Sequence, residues 1–308
     1  MIEIIDFTKY PLTPRKYGGK NGRKIGIFYK DEPYLLKFSI RNDKNKEEYS
    51  NSCVSEYLGC HIFDLCDIEV QHTLLGTYEN KLVVACKDFK SDDEDFYDFA
   101  SIKNSVIESD ENGYGTNLDD ILFSIDKLDI FSPQKIKKRF WDMFIVDTFI
   151  GNFDRHNGNW GFIYNRIDKE YRLAPVFDCG SCLFPKIFKS EVKNIINNQE
   201  EINKRIYLFP RSAIKIYSTE DKNPKINPYN FLLNTDNVDC LRSLQKITDK
   251  INLDKIKDII GQLPIENELK KFLELILNKR KELILDYALK NNPNLYLIYS
   301  SITKNREI

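Results

Sequence analysis

One stretch constrains this chain more than any other: Gly151 to Cys182, GNFDRHNGNWGFIYNRIDKEYRLAPVFDCGSC. An apolar run, Phe140–Ile150, precedes it with Phe140, Phe144, Thr148 and Phe149 near helical spacing. Gly151 suits the end of that helix. A polar loop follows, Asn152–Asn159, holding Asp154, Arg155, His156 and Asn159. Two β-like runs, Trp160–Tyr164 and Arg172–Phe177, flank a polar turn at Asn165–Glu170. Paired as a hairpin, they make neighbours of the residues just outside their open ends. Those residues are Asn159 and Asp178, 19 positions apart, and Asp154 lies five residues before Asn159. Three oxygen-bearing side chains at one sheet end suit a hard cation such as Mg²⁺.

The first 90 or so residues read mainly as strands: Glu3–Thr8, Lys24–Tyr29, Tyr34–Ile40, Val70–Tyr78 and Lys81–Ala85. In the third, Tyr34, Leu36, Phe38 and Ile40 share one face, so Lys37 points to the other. A glycine-rich turn, Tyr17–Gly22, lies upstream. Its amides could cover phosphate, although YGGKNGRK matches neither G-x-G-x-x-G nor a P-loop. Glu47–Leu65 reads as a helix with Val54, Leu58, Ile62 and Leu65 on one stripe and Glu56 off it. The pattern stops at Cys86–Asp88, and the acidic run Ser91–Asp98 marks the expected boundary between two parts, 1–88 and 89–308. The remainder predicts helices at Leu118–Leu128, Pro133–Ile150, Glu191–Ile206, Val238–Ile251, Leu253–Leu263 and Glu266–Leu289, with a loop over Lys215–Tyr229.

The 308 residues suffice for two such parts, and 20 Phe and 17 Tyr argue for packed cores. With 46 basic and 47 acidic residues, the chain has no whole-molecule charge that would favour nucleic acid. No apolar run approaches a membrane span, and MIEIIDFTKY lacks the parts of a cleaved signal peptide. The seven cysteines are odd in number and scattered, which fits reduced thiols. The expected compartment is the cytoplasm of the producing cell, with export by a route lacking a cleaved signal left open.

Taken together, the residues describe phosphoryl transfer. Such a site needs a carboxylate at the attacking hydroxyl, oxygen ligands for Mg²⁺, and a lysine on the phosphates held by a glutamate. Asp154, Asn159, Asp178, Lys37 and Glu56 can fill those places. Each has a plainer reading: turn-capping Asp and Asn side chains, a solvent-facing lysine, and a structural histidine at His156. Cys179-Gly-Ser-Cys182 is C-x-x-C and also resembles a thiol-protease signature, but no histidine follows His156 to serve either chemistry.

In their order along the chain, the glycine-rich turn, strand lysine, helix glutamate, D-R-H-x-x-N and D-C-G resemble the HipA-like serine/threonine kinases. The likeness runs over about residues 3–285 and is carried by IGNFDRHNGNWGF, APVFDCGSCL, Leu75–Phe89 and Phe140–Thr148. It implies an α+β, two-lobed protein-kinase-like fold: a small antiparallel sheet with one helix, then a mainly helical lobe. It implies ATP and Mg²⁺, with Asp154 as catalytic base and Asn159 and Asp178 on metal. Gly18, Gly19, Lys20, Asn21 and Gly22 would cover phosphate, Lys37 held by Glu56 would bind it, Cys86, Lys87 and Asp88 would meet adenine and ribose, and His156 would lie along the nucleotide. The implied partner is a protein with a Ser/Thr acceptor, the chain itself included. Neither nucleic acid nor stable membrane insertion is implied. The covering loop has no Ser or Thr, so Ser181 and Ser190 stand as candidates for self-modification. Two alternatives stay open: a phosphoinositide-type lipid kinase, which shares D-R-H-x-x-N, and an ATP-binding pseudokinase.

Overall fold

The computed structural model describes residues 2–15, 23–39, 50–107, 111–217 and 224–298. The chain opens with β1 (Ile5–Asp6), β2 (Lys24–Tyr29), β3 (Glu32–Phe38), helix α1 (Ser52–Leu65), β4 (Thr73–Tyr78) and β5 (Lys81–Lys87). These strands form one sheet in the order β1-β4-β5-β3-β2. The expected sheet is wholly antiparallel; the observed one departs at its edge, where β1 runs parallel to β4 over two residues. The strand alternation around Lys37 holds. Tyr34, Leu36 and Phe38 enter a cluster on the outer face with Phe7, Ile27, Val83 and Ala85. Leu35, Val84 and Cys86 pack on the opposite face, with α1.

That inner face has a second role. Residues of α1 belong to the same buried cluster as the long helix α4 (Pro133–Ile150). The helix carrying Glu56 is therefore packed into the second half of the molecule.

The acidic run departs from expectation. Glu94–Asp98 is a strand, β6, paired antiparallel with β7 (Gly161–Asn165), which pairs in turn with β8 (Glu170–Leu173). Asp and Glu are poor strand formers, but cations from the neighbouring strands meet them here. Arg172 binds Glu94 at 3.1 Å and Arg166 binds Asp95 at 2.7 Å. β8 is also shorter than predicted. Its ladder ends after the Ala174 amide donates to the Gly161 carbonyl at 3.0 Å, because the next bonding position, Val176, pairs with the Glu69–Gln71 segment instead.

The helices are α2 (Phe99–Val106), α3 (Leu118–Lys127) and α4, then α5 (Lys189–Ile196), α6 (Gln199–Asn203), α7 (Pro228–Asn234), α8 (Val238–Lys250), α9 (Leu253–Gln262), α10 (Asn267–Arg280) and α11 (Tyr287–Asn291). α2 was not anticipated, and the start of α7 falls inside the expected Lys215–Tyr229 loop. The single helix expected at Glu191–Ile206 breaks at Asn198, whose side chain caps α6 by accepting from Glu200 and Glu201 amides. α10 runs into α11 through a wider π turn at Lys281–Asp286. Among the described residues no helix is long and apolar enough to cross a membrane.

Candidate active site

Lys37 is where the two halves meet chemically. Its Nζ lies 3.1 Å from Glu56 Oε1 on α1 and 3.0 Å from Asp178 Oδ1, beyond β8. Burial disfavours the lysine's charge, but Glu56 and Asp178 outweigh it and hold the ammonium well above its ordinary range. Burial also works against Asp178, and Lys37 overcomes it, so that this carboxyl titrates below its usual value. A cation thus sits between Glu56 and an ionised Asp178 at neutral pH. Asp178 reaches this place from a left-handed backbone, φ +59°, which Asp tolerates better than most residues.

Asp154 is exposed on the loop after α4. Gly151 ends that helix with φ +70°, a conformation that disfavours side chains. A Cβ at Gly151 would also lie 2.3 Å from the buried Arg280 guanidinium. Beyond it the loop is self-bonded: the His156 amide donates to the Asp154 carbonyl at 2.9 Å, and Asn159 Nδ2 donates to that same carbonyl at 3.0 Å. Commitment of Nδ2 leaves Asn159 Oδ1 as an acceptor with no donor among the described residues. His156 Nδ1 accepts from the Gly158 amide at 3.1 Å, so the neutral ring carries its proton on Nε2.

The tie between the backbone at Asn159 and the segment before Asp178 does not come from the hairpin ladder, whose last bond runs from the Ala174 amide to the Gly161 carbonyl at 3.0 Å. Arg155 supplies it. The buried guanidinium binds Asp147 of α4 through Nε at 2.9 Å. Its Nη1 donates to the carbonyls of both Asn159 and Phe177, and Nη2 reaches Cys179 Sγ at 3.5 Å. One nitrogen therefore holds the backbone before Asp178 within two hydrogen-bond lengths of the backbone at Asn159. Burial opposes the charge of Arg155 while Asp147 raises its pKa, and the net direction is upward.

The remaining predicted residues divide into two groups. Gly18, Gly19, Lys20, Asn21 and Gly22 lie outside the described residues. Cys86, Lys87 and Asp88 form the strand end between the halves, and their polar groups already have protein partners. The Lys87 amide donates to the His72 carbonyl and its own carbonyl accepts from Gln71 Nε2 at 2.8 Å. The Asp88 amide donates to the Pro33 carbonyl, and its carboxylate binds Arg15 at 2.7 Å.

The donor set fits a divalent ion on a nucleotide. Asp178 offers an ionised carboxylate and Asn159 an uncommitted amide oxygen. Among the described residues no group of three or more His, Cys, Asp and Glu makes a self-sufficient metal cage. An ion here would draw its other ligands from phosphate and water, which is the usual habit of Mg²⁺.

Residues 21–250 match the HipA-like C-terminal domain. The chain belongs to that family. The serine/threonine-protein kinase CtkA of Helicobacter pylori strain J99 is 47% identical over 290 residues, which cover 93% of this chain and 88% of that protein. The crystal structure of an H. pylori proinflammatory kinase CtkA matches with a TM-score of 0.89 at 46% identity, covering 95% of this chain and 99% of that one. The α+β, two-lobed kinase fold expected from the resemblance is the fold of this chain.

Two further residues of this HipA-like site escaped the sequence reading. Lys24 pairs directly across from Lys37 in the β2–β3 register. Burial and the neighbouring Lys37 lower its pKa, while Asp178 and Glu56 act the other way. The register was readable in principle, because a tight turn at Lys30–Asp31 sets which residues face each other. Arg155 was named only as a loop member. Its signal was Asp147, a carboxylate within the apolar last turns of α4, which needs a buried cation.

Proposed function

We propose that this chain is an ATP-dependent kinase whose site works through Asp154, Lys37, Asn159 and Asp178. It is a serine/threonine-protein kinase, and the acceptor is a protein hydroxyl. The observation that carries the site assignment is the contact of Lys37 with Glu56 and Asp178, groups 19 and 141 positions away in sequence. Mg²⁺-ATP, when bound, supplies the γ-phosphoryl group and the divalent charge that offsets it.

Asp154 takes the proton of the attacking hydroxyl, for which its exposed place on the loop is suited. Asn159 Oδ1 and the Asp178 carboxylate would hold the metal. Lys37 neutralises phosphate oxygens while Glu56 keeps it from swinging away. His156 offers Nε2–H toward the nucleotide. Arg155 fixes the spacing between the two metal-holding segments. The polypeptide at 86–88 lines the adenine side, with residues 1–88 as one lobe and 89–308 as the other. Seven buried, unpaired thiols suit a reducing compartment, which supports a cytoplasmic site in the producing cell.

The test is transfer from γ-labelled ATP with Mg²⁺ to casein, beside calorimetric nucleotide binding. Asp154→Ala should lose about 10²–10⁴-fold in transfer, the usual worth of a general base, and still bind ATP. Asp178→Ala should lose Mg²⁺-dependent binding as well. Full transfer by Asp154→Ala would overturn the assignment. Transfer to phosphoinositide vesicles and not to protein would favour a lipid kinase, and binding without transfer by the wild type a pseudokinase.

A further inference from the structure

The C-G-S-C segment after β8 has no redox role in this fold. Cys179 and Cys182 are fully buried, and burial pushes the Cys182 thiol well above its ordinary range. The two cysteines instead pin a tight turn. The Cys182 amide donates to the Cys179 carbonyl at 3.0 Å, Cys182 Sγ donates to the Ser55 carbonyl of α1 at 3.3 Å, and the Leu183 amide holds the Ile150 carbonyl at 3.0 Å. A Cβ at Gly180 would lie 2.9 Å from Glu56 Oε2, so any larger residue would have to displace that carboxylate. Only Ser181, of these four residues, is exposed. Its hydroxyl donates to Asp154 Oδ2 at 3.4 Å.

An exposed hydroxyl hydrogen-bonded to the base of a kinase stands where an acceptor hydroxyl must stand. Catalytic hydrogen bonds are often this long before the substrate closes the site. We infer that Ser181 is an intramolecular phosphate acceptor, presented to Asp154 by the pinned Cys179–Cys182 turn; this rests on the kinase reading above. The Ser181 Oγ–Pγ bond forms and the Pγ–O bond to the β-phosphate breaks. ADP leaves, and the hydroxyl proton passes to Asp154 Oδ2. Ser190, on α5, is exposed too but has no such contact with Asp154.

The experiment incubates the whole chain with γ-labelled ATP and Mg²⁺ over a wide range of protein concentration, with casein in a parallel tube, and maps phosphopeptides by mass spectrometry. Label is expected on Ser181 at a fractional rate independent of concentration. It should vanish from that peptide in Ser181→Ala and persist in Ser181→Thr. A tagged Asp154→Ala chain mixed with wild type should stay unlabelled at Ser181. The proposal is overturned if casein or other serines take label while Ser181 does not. It is equally overturned if Ser181 is labelled only in trans, on the Asp154→Ala chain and in proportion to concentration. No label on any protein would remove the kinase reading itself.

Discussion

Two ion pairs sit on either side of Asp178 and do opposite work. Lys37 bridges Glu56 and Asp178 at the edge of the cleft, where about half of the Asp178 side chain remains open to solvent. Arg155 and Asp147 are both more than nine-tenths buried, and every contact of that guanidinium points into protein. In the proposed mechanism the first pair has to open, because Lys37 and Asp178 would each turn toward the nucleotide. The second must never open, because it sets the spacing between the Asn159 loop and the Asp178 segment. A cation on a carboxylate is thus a latch in one place and a rivet in the other. Burial decides which, since a desolvated charge cannot leave its partner for water.

The largest effect should come from breaking the rivet. Arg155→Ala strands the Asp147 carboxylate in the core, and removing one partner of a buried pair costs about 3–5 kcal/mol. A fall in melting temperature of roughly 10 °C is expected by calorimetry at that cost. If Arg155→Ala melts like wild type, the Arg155–Asp147 pair is not a rivet.

Breaking the latch should leave the fold standing and remove the chemistry. Lys37→Arg, which keeps a cation on the buried Glu56 carboxylate, should lower kcat by about 10²–10³-fold, as misplacing one preorganised electrostatic group does, with a melting temperature close to wild type. A melting shift as large as that of Arg155→Ala would make Lys37 a structural residue first.

The smallest effect is a pH dependence of the latch. Lys37 holds the Asp178 pKa below its unfolded value, so its stabilising share is complete above the unfolded carboxylate range, near about 3.9. It is lost as pH falls through the lower folded value. The melting difference between wild type and Asp178→Asn should therefore stay flat from about pH 5 to pH 8 and shrink only below about pH 4. A difference that already fades near neutrality would contradict the assigned direction.

Much of the site was legible before the fold. Alternation in β3 turned Lys37 away from Tyr34, Leu36 and Phe38, and the apolar stripe of α1 left Glu56 off it. Gly151 ended α4 as its sequence context suggested. These are local matters, governed by the two-residue period of a strand, the 3.6-residue period of a helix and the φ freedom of glycine. The acidic strand β6 was not legible, because Arg166 and Arg172 neutralise it from about 70 residues away. Nor was the early end of β8, because Val176 is taken up by Glu69 and Gln71, more than 100 residues earlier.

The sequence by itself determined which residues are proposed to carry chemistry, since few residue types can bind phosphate, bind a hard cation or take a proton. Only the tertiary structure decided how they meet. The hairpin expected to join Asn159 to Asp178 ends too soon. A buried arginine, fixed by an aspartate eight residues earlier, does the joining through backbone carbonyls. Such a contact leaves no periodic trace in sequence, because every residue has a carbonyl and only burial makes one of them need that donor.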